Sequence, residues 1–396
     1  MSMTMQYQLI EDEISLQELC QQYNKAEILA IDTEFVRTRT LYPKLGLLQI
    51  FDGKQLALID PVAITDLSPF WQLMTNEKIV KVLHACSEDL EVFLTSANCK
   101  PANLIDSQII MSFLGHGLSM GYAAMVEHFT GIELDKSESR TDWMKRPLTQ
   151  KQLDYASADV DYLFQLYPKL ITEIEQVGRL DYAKQETQLL IERKFTPIDE
   201  DNLYRQMKLA CRLNAQQLNT LKHLARWRFQ QAKKRDLPIG FVAKEHTLMA
   251  IAQHNPQTIE EMNRVKGAEL LDIRHKGKTM LSIVKLALET DESDYPKTIT
   301  RLDEYPGYKQ IFKTVKAFIV VIAERNGLAI ENLASKKQIN QFLTWHFNIN
   351  DVRALALDSS TKAPLSNLAN VDILTGWRNE LFGKTLQAFA DSDFKA

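Results

Sequence analysis

Cysteine is scarce in this chain. Cys20, Cys86, Cys99 and Cys211 are the only four among 396 residues, and no two of them share a C-x-x-C or other metal-ligand spacing. A disulfide framework and a cysteine-held zinc are therefore excluded as organising devices. The thiols are expected to be reduced and buried, as in a cytoplasmic protein. Long apolar runs are also missing. No segment reaches the roughly 18 apolar residues of a membrane-spanning helix, so no membrane partner is expected. Residues 1–10 lack the basic stretch followed by an apolar core that marks a signal peptide. Excess positive charge is absent too, since 47 basic against 51 acidic side chains leave a net charge of −4. That balance does not exclude nucleic acid, because binding follows local potential rather than the sum. Gly115-x-Gly117-x-x-x-Gly121 has the wrong spacing for a dinucleotide fingerprint. No Ser, His or Cys stands in a nucleophile-elbow or triad context.

What is present indicates two or three soluble domains, since 396 residues are too many for one ordinary domain. Residues 1–195 read as α/β. Glu27–Ile31, Gly46–Phe51, Gln55–Ile59, Lys78–His84 and Leu104–Ile105 are strand-like, and Asp52-Gly53 between two apolar runs signals a hairpin. Ser15-Leu-Gln-Glu18 and Thr149-Gln-Lys-Gln152 have the form of capping boxes, the second opening a long helix to about Gln176. This order of elements predicts a mixed sheet flanked by helices. Past an acidic, proline-containing linker at 196–201, helical periodicity takes over. Residues 203–291 and 297–390 form two small all-α domains that share an apolar pattern at an offset of 91 residues, as Leu237 and Leu328 illustrate.

Three acidic patches carry the chemistry. Asp32 and Glu34 are two apart on a strand and so share a face, with Thr33 opposite. Asp89 stands where a strand gives way to a helix. Tyr155 and Asp159 are four apart on the helix capped by Thr149, and Asp161 lies about 200° around it from Asp159. Each alone has an ordinary explanation: a solvated strand end, an acid complementing a helix dipole, a half-buried tyrosine. Together they supply oxygen ligands for two divalent ions, Mg²⁺ or Mn²⁺, which suit phosphodiester hydrolysis.

In that order and spacing the chain resembles the DEDD family of 3′–5′ exonucleases, in the subgroup whose third motif carries tyrosine, and within it the ribonuclease D group. The resemblance rests on Leu29-Ala-Ile-Asp-Thr-Glu-Phe-Val-Arg37, His84-Ala-Cys-Ser-Glu-Asp89, Asp142-Trp143 with Arg146-Pro147-Leu148, Tyr155-Ala-Ser-Ala-Asp159 and the tail Leu374–Gly383. It implies a ribonuclease H-like exonuclease domain followed by two HRDC domains. By the same resemblance Asp32, Glu34, Asp89 and Asp159 are metal ligands and Tyr155 assists the attacking water. The implied activity is trimming of tRNA precursors and other structured RNA from the 3′ end, releasing nucleoside 5′-monophosphates. A monomer in the cytoplasm is expected.

Substrate contacts are sought nearby. Arg37, Arg39, Lys44, Arg140, Lys145 and Arg146 are candidates for phosphates, Phe35 and Trp143 for stacking on terminal bases, and His84 for a further contact. Residues 203–236 hold nine basic side chains and one acid, a candidate extended nucleic-acid contact. A DNA exonuclease with the same site, and a non-catalytic nucleic-acid-binding module, are the competing readings.

Overall fold

The strand Ile28–Val36 organises the molecule. The structure, a computed structural model, describes residues 6–353 and 371–395. Residues 1–5, at the start of the expected first domain, and 354–370, inside the expected second helical domain, lie outside the described residues. In chain order the first region runs β1 (Gln8–Ile10), α1 (Glu13–Tyr23), β2 (Ile28–Val36), β3 (Lys44–Phe51), β4 (Leu56–Ile59) and α2 (Ser68–Thr75). It continues with β5 (Val80–Leu83), α3 (Ser87–Ala97), β6 (Leu104–Asp106), α4 (Ser107–Phe113), α5 (Tyr122–Thr130), α6 (Gln150–Gln176) and α7 (Leu180–Phe195). The sheet order is β1-β4-β3-β2-β5-β6. β2 pairs antiparallel with β3 and parallel with β5, so it lies at the centre of a mixed sheet.

Both faces of the sheet are covered, which is why its strands read as continuous apolar runs. Ala30, Leu47, Leu58 and Val82 pack with Val160 and Leu163 of α6 on one face. Leu29, Ile31, Leu48 and Ile59 pack with Leu16, Phe70, Leu90 and Phe93 on the other. The period of two along β2 then sends Asp32 and Glu34 to the α6 face and Thr33 to the α3 face.

Three local expectations are revised. β2 extends five residues beyond Ile31, because Thr33, Phe35 and Val36 suit a strand and pair with β3 despite the intervening acids. A register shift falls between Glu34 and Phe35. α1 is capped by Asp12, which accepts from Ser15 N at 2.9 Å, so the helix starts before Ser15. Three-residue β1, too short to show a period, pairs with the edge of β4. Thr149 and Gln152 do form the reciprocal cap of α6.

Helices follow: α8 (Ala215–Arg235), α9 (Ile239–Val242), α10 (Glu245–His254), α11 (Ile259–Arg264), α12 (Leu270–Leu288), α13 (Tyr308–Arg325), α14 (Ile330–Leu333), α15 (Lys336–His346) and a closing helix Lys384–Asp391. The 91-residue offset recurs in their bounds, α9 matching α14 at both ends and α10 matching α15 at its start. The two helical segments attach differently. Residues around α8–α12 have a core of their own, including Leu218, Leu224, Ile251 and Met280. Val315, Ile319, Phe342 and Trp377 instead belong to the cluster that covers the sheet. Arg378, 4 % exposed, pairs with Glu186 of α7 and donates to Leu333 O at 2.7 Å. Trp377 Nε1 donates to Glu186 at 2.9 Å, and its ring stacks on Tyr182 at 4.8 Å. Among the described residues, no helix is long and apolar enough to cross a membrane.

Glu186→Ala is expected to cost about 3 kcal/mol in urea unfolding, because it strands the buried Arg378 charge. A loss under about 1 kcal/mol would mean that apolar packing alone holds this seam.

Candidate active site

The α6 face of β2 brings the acids together. Carboxylate oxygens of Asp32, Glu34 and Asp159 lie within 4.8 Å of one another. Tyr155, one turn before Asp159, gives its phenol hydrogen bond to that carboxylate. Asp89 arrives from α3 on the other side of the sheet, where the Thr33 hydroxyl donates to it. Thr33 thus uses its opposite orientation to tether the fourth acid to the strand that carries the first two. A cavity of about 360 Å³ opens among Asp32, His84, Tyr122, Lys136, Tyr155 and Asp159. A larger one of about 790 Å³ lies between α7 and α15 around Glu186, Gln338 and Arg378, away from the acidic cluster.

Electrostatics of the cluster are those of a cation site. Burial pushes the Asp32 carboxyl well above its ordinary range, and the charges of Asp89, Asp159 and Glu34 push it further. Glu34 is raised by burial and then by Asp159 and Asp89. Burial raises Asp89 against the pull of Thr33, and Asp159 against that of Tyr155. Oxygen ligands this close and this short of water fit hard divalent ions, which would remove the repulsion. Tyr155 itself is raised by burial and by Asp159, and so stays a protonated phenol.

Several supports were not singled out in the sequence. Asp106 ends β6 and accepts from Ala85 N and Cys86 N, both at 2.9 Å, and from Gln108 N at 2.8 Å. It fixes the turn that leads into α3 and Asp89, in which Ala85 adopts φ 55, a left-handed conformation that costs energy for alanine. Its sequence signal was an acid just before an apolar helix. The half-buried Tyr122 donates its phenol hydrogen bond to the backbone carbonyls of Ala158, at 3.1 Å, and Asp159.

Of the proposed substrate contacts, Trp143 is corrected. It is 1 % exposed and packs 6.2 Å from Tyr155, so it offers no face to a base. Its backbone runs so close to Gly46 that a Cβ there would meet Trp143 O at 2.7 Å. Arg146 is likewise committed: it grips Asp60 through two 2.6 Å contacts and donates to Gly46 O and Trp143 O. Arg37 is held by Glu88 and Glu91. His84 uses both ring nitrogens, on Ser107 and on Met120 O, so its polar capacity is spent, though it lines the cavity. Phe35 is half-buried beside the register shift and belongs to neither core cluster. Arg39, Lys44, Arg140 and Lys145 have no ion-pair partner among the described residues. The basic segment is partly neutralised: Asp201 pairs with Arg226 and Glu200 with Lys233.

Two expected outcomes follow from these contacts. Asp106→Ala, which strips three N–H groups of their acceptor, is expected to cost about 1–3 kcal/mol in urea unfolding. In the metal-free protein the clustered acids hold protons more tightly folded than unfolded. Stability therefore falls as pH rises from about 4 upward. The thermal midpoint of chelated protein is expected to be higher near about pH 6 than near about pH 8, and Asp159→Asn to flatten that slope. Equal slopes in the two proteins would refute the repulsion.

Comparison with known proteins agrees with this architecture. Residues 7–175 match the family model for a 3′–5′ exonuclease, 217–284 that of the HRDC domain, and 306–386 that of the ribonuclease D C-terminal HRDC domain. Ribonuclease D of Serratia proteamaculans is 43 % identical over 383 residues, 97 % of this chain and 98 % of that one. Ribonuclease D of Escherichia coli is 41 % identical over 382 residues, 96 % of this chain and 98 % of that one. The crystal structure of the Escherichia coli enzyme superposes with a TM-score of 0.91, covering 98 % of this chain and 99 % of that one. The chain therefore belongs to the ribonuclease D family and is a 3′–5′ exoribonuclease.

Proposed function

We propose that this enzyme trims the 3′ ends of tRNA precursors and other structured RNAs by two-metal-ion hydrolysis, releasing nucleoside 5′-monophosphates. The observation that carries the mechanism is the convergence of Asp32, Glu34 and Asp159 within 4.8 Å, with Asp89 tethered beside them through Thr33. The substrate class is supported by the Escherichia coli relative, described as an exoribonuclease involved in structured RNA processing.

Asp32, Glu34 and Asp159 would hold one Mg²⁺ or Mn²⁺ ion beside the attacking water, and Asp89 with Asp32 a second beside the leaving oxygen. Bound there, divalent ions supply a water of lowered pKa and offset the charge developing on the phosphate and the 3′-oxygen. Tyr155 keeps its proton, donates a hydrogen bond to Asp159, and offers its oxygen to orient the water for in-line attack. The water oxygen bonds to phosphorus as the bond to the 3′-oxygen breaks, and a proton passes to that oxygen. Phe35, half-buried and next to Glu34 on β2, packs on the terminal base; Arg140, exposed and unpaired among the described residues, meets phosphate. Residues 1–195 act as the exonuclease domain, with HRDC-like domains at 203–291 and 297–390. A monomer is supported by the shared core that covers the sheet with its own helices. A cytoplasmic location is supported by four free cysteines, three of them buried.

The decisive experiment incubates 3′-labelled tRNA precursor, single-stranded RNA and DNA with the protein in Mg²⁺ or EDTA. Labelled 5′-mononucleotide is expected from RNA in Mg²⁺ and none in EDTA. Internal fragments, or activity surviving EDTA, would overturn the proposal. Asp32→Asn is expected to abolish turnover in a folded protein, and Tyr155→Phe to lower kcat roughly 10²-fold with little change in KM.

A further inference from the structure

The strand that carries the acidic pair and its antiparallel neighbour are joined by residues 37–43, and this connection is held from two sides. From within, Arg37 donates to Leu41 O at 2.9 Å and to Glu88 and Glu91, which flank Asp89 on α3. From without, Asp236 accepts from the backbone N–H of Leu41 and of Tyr42, each at 3.0 Å, across 195 residues of chain. Among the described residues, no other hydrogen bond or ion pair joins residues 203–290 to residues 6–195. The first helical segment has its own core, so this carboxylate is its polar fastening to the catalytic body.

Asp236 is an odd choice for the place it occupies. It ends α8 in the left-handed conformation, φ 48, where glycine or asparagine is the usual residue. A negative charge at a helix C-terminus also opposes the helix dipole. Helix termination does not explain an aspartate here, whereas the two N–H groups of the 37–43 connection do. Around this contact gather Lys234, Arg235 and Arg39, all exposed and without an ion-pair partner among the described residues. Arg39 lies five residues past Glu34, within about 17 Å of it along an extended chain. In a chain of net charge −4, these unpaired cations concentrate positive charge around the contact between the 37–43 connection and the end of α8.

We propose that Asp236 is a positioning residue. Its carboxylate latches the first helical segment onto the 37–43 connection, and so aligns Arg39, Lys234 and Arg235 to receive the phosphodiester backbone of RNA upstream of its 3′ end. This rests on the function proposed above and adds where the body of the substrate runs. The latch acts on binding of extended RNA, and the acidic cluster acts on the terminal phosphodiester without it.

Asp236→Gly tests the latch cleanly, because glycine suits the left-handed helix end and only the carboxylate is lost. Turnover is measured on single-stranded RNA long enough to reach α8 and on the p-nitrophenyl ester of thymidine 5′-monophosphate, across a salt series. The expected result is about a tenfold rise in KM for RNA, with a salt dependence of kcat/KM shallower by about one to three in logarithmic slope. The ester is expected to be hydrolysed at the parent rate, and Asp236→Asn, which keeps an acceptor oxygen, to recover part of the RNA affinity. Parent behaviour of Asp236→Gly on RNA, an unchanged salt slope, or parallel loss on RNA and ester would each overturn the latch. The parent enzyme is assayed first: its failure on RNA would sink the proposed function, whereas an active parent matched by Asp236→Gly sinks only this inference.

Discussion

Carboxylates repel one another most where water is scarce, and this molecule gathers four of them, Asp89 and Asp159 buried and Asp32 and Glu34 half-buried. Everything near the site answers that constraint. β2 pairs with β3 through Asp32 and Glu34 and with β5 just before them, at residues 28–30, so the strand that carries the two acids is held in the sheet. α6 lies across one face and presents Asp159 with its phenol donor one turn away. α3 lies on the other face, and Thr33 reaches through the alternation of the strand to hold Asp89. Behind these, Asp106 and Tyr122 bind backbone rather than side chains, fixing the turn into α3 and the carbonyls beside Asp159. The repulsion in this arrangement is what a bound metal ion would relieve.

The helical segments divide the remaining labour. One is part of the same apolar cluster as the sheet and is sealed by the buried Arg378–Glu186 pair, so it stiffens the scaffold. The other keeps a separate core and meets the catalytic body through Asp236. An element with few apolar contacts across its boundary can shift at low cost. Two copies of one apolar pattern, 91 residues apart, have thus been put to different uses by the faces they bury.

Local periodicity made much of this legible. Glu34 follows Asp32 by two on a strand, and Asp159 follows Tyr155 by four on a helix, so each pair shares a face whatever the rest of the chain does. The cap at Thr149 and the Asp52-Gly53 turn are equally local. Misreadings arose where a long-range partner decided the outcome. Trp143 lies between polar residues in the sequence, yet Gly46 leaves room for its backbone and the core takes its ring. Arg146 looked like a phosphate ligand until Asp60, far away in the chain, claimed it. The basic run before residue 236 lost two of its charges to the acidic linker that folds back on α8.

By itself the sequence determined most of the elements, the shared face of Asp32 with Glu34 and of Tyr155 with Asp159, and the kind of chemistry that such acids support. Those properties depend on spacing along a regular backbone, and spacing is written in the residue order. Only the tertiary structure decided that α3 and α6 close on opposite faces of one strand, that Asp106 rather than any helix former sets the approach of Asp89, and that Asp236 reaches the connection between β2 and β3. These contacts join residues tens to hundreds of positions apart, and their energy comes from burial and from backbone donors that no local pattern records.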